Sequence, residues 1–154
     1  MINSQITKEL WKRFEFDQQL IKEKNWKELG KFNKENSFWL KKIIIHQGWL
    51  SEEKFGSHAE QCAWLIVQHS PDIKFQKLCL KLLKSLSNNK ERRKHIAYLE
   101  DRILVSESKI QIYGTQFNGN KPFQIKDKTN LDKRRKVMGL EPFEEYYRLM
   151  IDRK

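Results

Sequence analysis

Apolar residues recur at three- and four-residue spacing over most of the chain, a pattern typical of helices that bury one face. Caps and breakers divide this pattern into helices predicted near residues 3–24, 36–47, 57–69, 71–86, 90–105, 130–138 and 142–150. Between the first two helices, Gly30 predicts a break, and Asn36 or Ser37 is expected to cap the second. The fourth helix is expected to begin at Pro71, which suits the first turn of a helix, with Ser70 as its cap.

The third helix has apolar residues on more than one face, from Cys62 to Val67. A helix of this kind is expected to lie inside the fold, with neighbours on several sides. It ends in a carboxamide and an imidazole, Gln68 and His69. We expect this end to open into a polar pocket.

The periodicity changes after residue 108, where Lys109–Tyr113 and Pro122–Ile125 alternate between apolar and polar side chains. Asn118-Gly119-Asn120 lies between them and has the composition of a turn. The sequence therefore predicts a mainly α fold, a compact bundle of about six or seven helices with a small β-hairpin or extended loop near residues 109–125.

A chain of 154 residues is the size of one domain, so residues 1–154 are expected to form a single helical domain. No apolar run approaches the roughly 18 residues that a membrane helix requires, which argues against membrane insertion. Residues 1–10 do not have the pattern of a secretory signal, and a cytoplasmic protein is expected. Cys62 and Cys79 both fall on apolar helix faces, so they are expected to be reduced core residues.

The formal net charge is +11, and most of it lies in the second half of the chain. Two basic runs, residues 90–94 and 133–136, could contact nucleic acid or an acidic protein. Lysines outnumber arginines 23 to 8, however, and arginine is the better residue for bidentate phosphate recognition. Nucleic-acid binding is therefore the less favoured interpretation, and the run at 133–136 is expected to be a solvated face.

The chain has no glycine-rich phosphate loop, no paired-cysteine zinc spacing and no nucleophile elbow, so no metal and no cofactor is predicted. The remaining candidates for a functional site are polar residues that lie among apolar ones in the sequence. Buried polar groups are costly unless they are satisfied, and several in one small fold suggest a polar network with a function. These candidates are Asp17, Gln18, Gln68, His69, Asp101, Arg102, Tyr113, Thr115 and Gln116.

Several stretches together resemble a bacterial family that is catalogued only as a domain of unknown function. The resemblance covers roughly residues 14–150 and keeps the order of its parts. It supports the fold and the candidate residues, and it implies no particular reaction. The stretches are the Asn36–Trp49 helix, Ala63–His69, Ala97–Arg102, the Tyr113–Gln116 loop, and the basic Asp132–Arg135 segment followed by Gly139-Leu140.

The candidates can be given chemical roles. His69 would be a general acid or base, since imidazole titrates near neutral pH, and Asp101 would orient it. Arg102 would hold an anionic group of the substrate. The other six residues would bind the substrate. Each candidate also has a structural alternative: His69 could cap its own helix, Asp101 and Arg102 could form an interhelical ion pair, and the Tyr113–Gln116 loop could be a tight bend.

Two hypotheses follow, and they differ in class. The first is a small enzyme or binding protein with a pocket for a small anionic or polar ligand. The second is a basic interaction module without catalysis, binding nucleic acid or an acidic protein through residues 90–94 and 133–136. A structural or accessory protein without any pocket is a third alternative. The sequence specifies neither the substrate nor the oligomeric state.

Overall fold

The structure is a computed structural model that describes residues 2–86 and 89–152. The described residues form eight α-helices and one two-stranded hairpin, which confirms the predicted mainly α class. The chain divides into two compact units, Met1–Leu82 (unit 1) and Leu83–Lys154 (unit 2). The helices are α1 (Ile2–Lys22), α2 (Trp26–Gln47), α3 (Glu52–Phe55), α4 (Ser57–His69), α5 (Ile73–Ser85), α6 (Lys90–Ser106), α7 (Leu131–Val137) and α8 (Phe143–Asp152).

Unit 1 is built around α4, as the apolar pattern of that helix predicts. Helix α4 packs against α1, α2 and α3, so most of its surface is covered. It begins directly after Gly56 and ends at His69, at the predicted positions. The core of the unit is formed by apolar side chains from these helices and from α5, among them Leu10, Leu40, Ile44, Ala63, Val67 and Phe75.

The predicted break at Gly30 is wrong, because α2 is continuous from Trp26 to Gln47. Its cap is Asn25, whose side chain accepts a hydrogen bond from Glu28 N. A glycine inside a helix costs only about 1 kcal/mol, which the rest of a long packed helix can offset. The expected caps Asn36 and Ser37 lie in mid-helix and are buried.

The start of α5 also differs from the prediction. The helix begins at Ile73, and Asp72 rather than Ser70 caps it, because Asp72 Oδ1 accepts a hydrogen bond from Phe75 N at 3.0 Å. The buried amide of Gln76 then donates to Val67 O at 3.0 Å and Ser70 O at 3.2 Å. These bonds satisfy carbonyls at the C-terminal end of α4, where a helix has no donors of its own.

Unit 2 contains α6, the hairpin, a short 3-10 helix (Lys128–Asn130), α7 and α8. The hairpin is antiparallel and smaller than the alternating pattern predicts: β1 (Phe117–Asn118) pairs with β2 (Lys121–Pro122) around a two-residue turn. The alternating segment Lys109–Tyr113 is not a strand and makes only one parallel bridge, at Gln111. Its backbone groups are bound instead by side chains of α6 and α7, as described below.

An aromatic cluster joins α8 to the hairpin and to α6. Tyr146 is buried, and its ring meets Tyr98 of α6 edge-on and Phe117 of β1 in a T-shaped contact. Phe143 and Tyr147 stack on Phe117 from the same helix. The predicted buried stripe of α8 is therefore an aromatic contact surface. Among the described residues, no helix combines the length and the apolarity needed to cross a membrane.

Candidate functional site

His69 is the last residue of α4, and its neighbour in space is a carboxylate of α1. The distance from His69 Nδ1 to Asp17 Oδ1 is 3.5 Å, which is an ion-pair distance when the imidazole is protonated. Both residues were selected from the sequence, but their pairing was not. The structure thus gives His69 an acidic partner inside unit 1.

Asp17 is buried, with 6% of its surface exposed, and a buried carboxylate requires partners. Its Oδ2 accepts a hydrogen bond from Gln18 Nε2 at 3.1 Å, and its Oδ1 faces His69. Nδ1 is thus the ring nitrogen that faces the acid.

The Asp17–His69 pair lies in a narrow crevice between α1 and α4. The crevice has a volume of about 10 Å³, which is room for about one water molecule and none for a substrate. The His69 side chain is 30% exposed, so another molecule would reach it from solvent. Arg13 lines the same crevice, but it already donates to Asn36 Oδ1 at 2.8 Å and pairs with Glu9 at 2.8 Å.

The thiol of Cys62 also lines this crevice, two turns before His69 on α4. Burial raises the pKa of Cys62 to about 11. Since the thiolate is the reactive form of cysteine, a neutral buried thiol is not a nucleophile at physiological pH. The imidazole of His69, a kind of group that titrates near neutral pH, is the other candidate for chemistry in this crevice.

The remaining candidate of unit 1, Gln68, does not line this crevice. It is buried on α4, and its side-chain Oε1 has no hydrogen-bond partner among residues 2–86 and 89–152. Its position next to His69 in sequence places it on a different side of the helix.

In unit 2, the carboxylate of Asp101 holds the loop that follows α6. Asp101 is fully buried and accepts hydrogen bonds from four donors: Ile112 N at 2.7 Å, Tyr113 N at 3.0 Å, Thr115 N at 3.0 Å and Thr115 Oγ1 at 3.0 Å. A carboxylate has about four acceptor positions, so these donors fill them. Burial raises the pKa of Asp101, and the same donors oppose that rise. The role of Asp101 as orienter of His69 stays a prediction, whereas its contacts give it the role of positioning this loop.

Three of the other predicted residues of unit 2 belong to that loop, and the fourth, Arg102, lies on α6. Thr115 is buried, and Gln116 Nε2 donates to its Oγ1 at 3.1 Å. Tyr113 is half-buried and lines a cavity with Glu100 of α6. Burial lowers the pKa of the half-buried Arg102, whose Nε has no hydrogen-bond partner within the part of the chain that the structure describes.

A second polar side chain, Gln111, shapes the loop and was missed by the sequence analysis. Its Nε2 donates to Gln116 O at 3.0 Å and Phe123 O at 2.9 Å, and its Oε1 accepts from Gln116 N at 2.9 Å. Gln111 is fully buried, although the alternating pattern places it among the polar, outward positions. The one feature of the sequence that could have indicated the buried position of Gln111 is its place between two isoleucines.

The basic run of α7 is a solvated face only in part, which corrects the expectation for residues 133–136: Lys133 and Lys136 are exposed, whereas Arg134 and Arg135 bind backbone carbonyls. Arg135 is fully buried; it donates to Tyr113 O and Glu141 O, both at 2.7 Å, and packs over the Tyr146 ring. Arg134 donates to Ile112 O at 3.1 Å from Nε and 3.0 Å from Nη2. Both guanidinium groups thus bind backbone carbonyls, so they are not free to bind phosphate.

Residues 2–154 match the model of a family described as "Family of unknown function (DUF6624)". The chain belongs to this family. The match confirms the resemblance to a domain of unknown function that the sequence motifs indicate. No curated protein and no solved structure matches the chain.

In this DUF6624 member, seven of the nine predicted residues make polar contacts with one another in two groups, three in unit 1 and four in unit 2, whereas Gln68 and Arg102 take no part in these contacts. One group is Gln18, Asp17 and His69, and it contains an exposed imidazole next to a buried acid. The other joins Asp101 to the Tyr113–Gln116 loop and has a structural role. Among the described residues, no three histidine, cysteine, aspartate or glutamate side chains are placed to hold a metal ion.

Proposed function

We propose that this DUF6624 protein acts on a small polar or anionic molecule by acid–base chemistry at His69. The observation that supports the proposal is the 3.5 Å separation of His69 Nδ1 and Asp17 Oδ1, with the carboxylate buried and the imidazole open to solvent. In this proposal the acid holds the proton of the neutral ring on Nδ1, which leaves the lone pair of Nε2 for the substrate. Nε2 is then the atom that takes a proton from, or returns it to, the substrate or a water molecule.

Asp17 is a positioning residue in this proposal, since it acts through the imidazole. It takes the role that the sequence analysis assigned to Asp101, whose acceptor positions are filled by its own loop. Gln18 in turn holds Asp17 Oδ2. This chain of contacts supports one orientation of the ring.

A basic interaction module is the weaker alternative. Its most useful residues would be the arginines of residues 90–94 and 133–136, because arginine binds phosphate in a bidentate manner. Arg92 and Arg135 are buried, at 1% and 0% exposure, and Arg134 donates to backbone carbonyls. Arg93 and the lysines remain partly or fully exposed on these two surfaces, so a single arginine is left for bidentate phosphate recognition.

The experiment is a turnover assay with p-nitrophenyl esters, phosphate monoesters and phosphate diesters. General acid–base catalysis contributes roughly 10²–10⁴-fold, so His69→Gln should lose turnover by about that factor, and Asp17→Ala by at least about tenfold. The matched control is His58→Gln, an exposed histidine at the other end of α4. If His69→Gln turns over every substrate as fast as the wild type, acid–base chemistry at His69 is excluded for these classes.

A further inference from the structure

A cavity of about 350 Å³ lies within unit 2, next to the start of α6. This volume is at the lower end of the range for small-molecule pockets, roughly 300–1,000 Å³. The cavity is thus large enough for a small organic molecule, unlike the crevice at His69. Half of its lining is aliphatic, contributed by Leu83, Leu86, Ile96, Val137 and Met138.

The polar half of the lining has an excess of positive charge. Its one carboxylate, Glu100, is paired with Lys84, with Nζ to Oε1 at 2.7 Å. Arg92 and Arg93 are the two further cations of the lining. Since Lys84 offsets Glu100, Arg93 is the cation that gives the lining its excess of positive charge.

Arg93 is the residue best placed to anchor an anion. Its Nε is buried and has no hydrogen-bond partner among the residues that the structure describes. An N–H without an acceptor is destabilising, and a charged acceptor stabilises a guanidinium more than a neutral acceptor does. Arg92, at 1% exposure, is buried and already has a partner, so Arg93 is the arginine that remains for a ligand.

Tyr113 completes the polar side of the cavity. Burial, together with the charges of Glu100 and Asp101, raises the pKa of its hydroxyl to about 12. The phenol is therefore neutral at physiological pH and adds no negative charge that would repel an anion. Its hydroxyl interacts with the Glu100 side chain, which also lines the cavity.

We propose that this cavity binds a small amphiphilic anion, with a single carboxylate or phosphate head on Arg93 and a short apolar chain or ring against the five aliphatic side chains. The two head groups share the same recognition chemistry, a planar guanidinium that donates to anionic oxygens. Neutral analogues are rejected because they leave the buried N–H without a charged acceptor. The site is additional to His69, and its residues belong to unit 2 alone.

The first test is isothermal titration of the full chain with four probes: octanoate, octyl phosphate, octanamide and acetate. Octanoate or octyl phosphate should bind, and the comparison of the two identifies the preferred head group. Octanamide, which lacks the charge, and acetate, which lacks the apolar chain, should each bind at least about tenfold more weakly. Equal affinity for octanoate and octanamide, or no binding of either anion, would overturn the proposal.

Two pairs of variants locate the binding. Val137 is 70% exposed at the edge of the cavity, so it can be replaced without disturbing the core. Val137→Glu adds a like charge and should weaken anion binding at least about tenfold, whereas Val137→Gln should change it less than about threefold. Arg93→Met should have a similar effect to Val137→Glu. Arg148→Met, at a 74% exposed arginine of α8, should have none.

If Arg93→Met does not fold, the comparison of Val137→Glu with Val137→Gln still tests whether the anion binds in this cavity, because both Val137 variants keep every buried group. Near-ultraviolet circular dichroism of the four tyrosines, all of which lie in unit 2, verifies the fold of each variant. Anion binding that is unchanged in Val137→Glu would place the ligand elsewhere and refute this site. Loss of binding with unchanged His69-dependent turnover would leave the acid–base proposal intact.

Discussion

Replacement of Asp101 by asparagine tests the role of its carboxylate in the loop that follows α6. The variant keeps the shape of the side chain and one acceptor oxygen, which can still serve Ile112 N and Tyr113 N. The amide nitrogen replaces Oδ2, to which Thr115 N and Thr115 Oγ1 donate, both at 3.0 Å. The NH2 group of the variant, which is a donor, would then face the N–H and hydroxyl donors of Thr115 inside a buried site.

The magnitude follows from those two lost acceptor contacts. A buried donor left without an acceptor costs roughly 1–3 kcal/mol, and the Thr115 hydroxyl can rotate whereas the N–H cannot. Burial already disfavours the ionised carboxylate, as the raised pKa of Asp101 indicates. This reduces the stability that is lost when the carboxylate is replaced. We therefore expect Asp101→Asn to lower the free energy of unfolding by about 2–4 kcal/mol.

The assay is urea unfolding followed by tyrosine circular dichroism, since all four tyrosines are in unit 2 and all five tryptophans are in unit 1. Amide hydrogen exchange at Tyr113 and Thr115 should accelerate. The control Glu91→Gln makes the same chemical change on α6 at a 68% exposed side chain, and should cost less than about 1 kcal/mol. A loss of unfolding free energy in Asp101→Asn as small as the loss in this control would refute the role of Asp101 in positioning the loop.

The stability difference between the wild type and Asp101→Asn should also depend on pH. Asparagine does not titrate, so the pH dependence of this difference comes from Asp101. Because burial raises the pKa of Asp101 in the folded protein above its unfolded value, the folded wild type takes up a proton as the pH falls and gains stability relative to the variant. The difference in the free energy of unfolding should therefore widen on acidification, and a difference that narrows would contradict this reasoning.

Three further predictions concern packing and burial. Gly114 has φ +70°, and an added Cβ would lie 2.9 Å from Phe143 Cε2, so Gly114→Ala should destabilise unit 2 by roughly 1–3 kcal/mol in urea unfolding. Gly30→Ala, in mid-helix with nothing within 4 Å, should instead stabilise unit 1 by about 0.5–1 kcal/mol, and a loss of stability there would be contrary to the structure. Cys62 should resist iodoacetamide at pH 8 in the folded protein and react after unfolding, since its pKa is raised to about 11. Because only the unfolded thiol ionises near its ordinary pKa, stability should fall as the pH rises from about 9 toward 11, measured by tryptophan fluorescence.

The helical part of the fold could be predicted because its signals are local. The start of α4 after Gly56 and its end at His69 follow from a glycine and from the apolar run between them. The break expected at Gly30 was wrong, because a helix-breaking tendency of about 1 kcal/mol is small beside the packing of a long helix. Local signals therefore fail where tertiary contacts decide the outcome.

The long-range contacts of the candidate site could not be predicted in the same way. Arg135 appeared as part of a cationic run, but its buried guanidinium binds the carbonyls of Tyr113 and Glu141. The pairing of Asp17 with His69 joins two helices whose separation in sequence carries no information about their contact. The sequence identified both residues as polar groups in apolar surroundings, and only the packing of α1 on α4 makes them partners.

The most direct test of the Asp17–His69 pair is the tautomer of the His69 ring, measured by long-range ¹H–¹⁵N correlation on histidine-labelled protein at a pH where the ring is neutral. We expect the proton on Nδ1 in the wild type, and a shift toward the Nε2–H tautomer in Asp17→Ala, with His58 unchanged in both proteins. A His69 ring that carries its proton on Nε2 in the wild type, or that does not respond to the loss of Asp17, would contradict the proposed acid–base role.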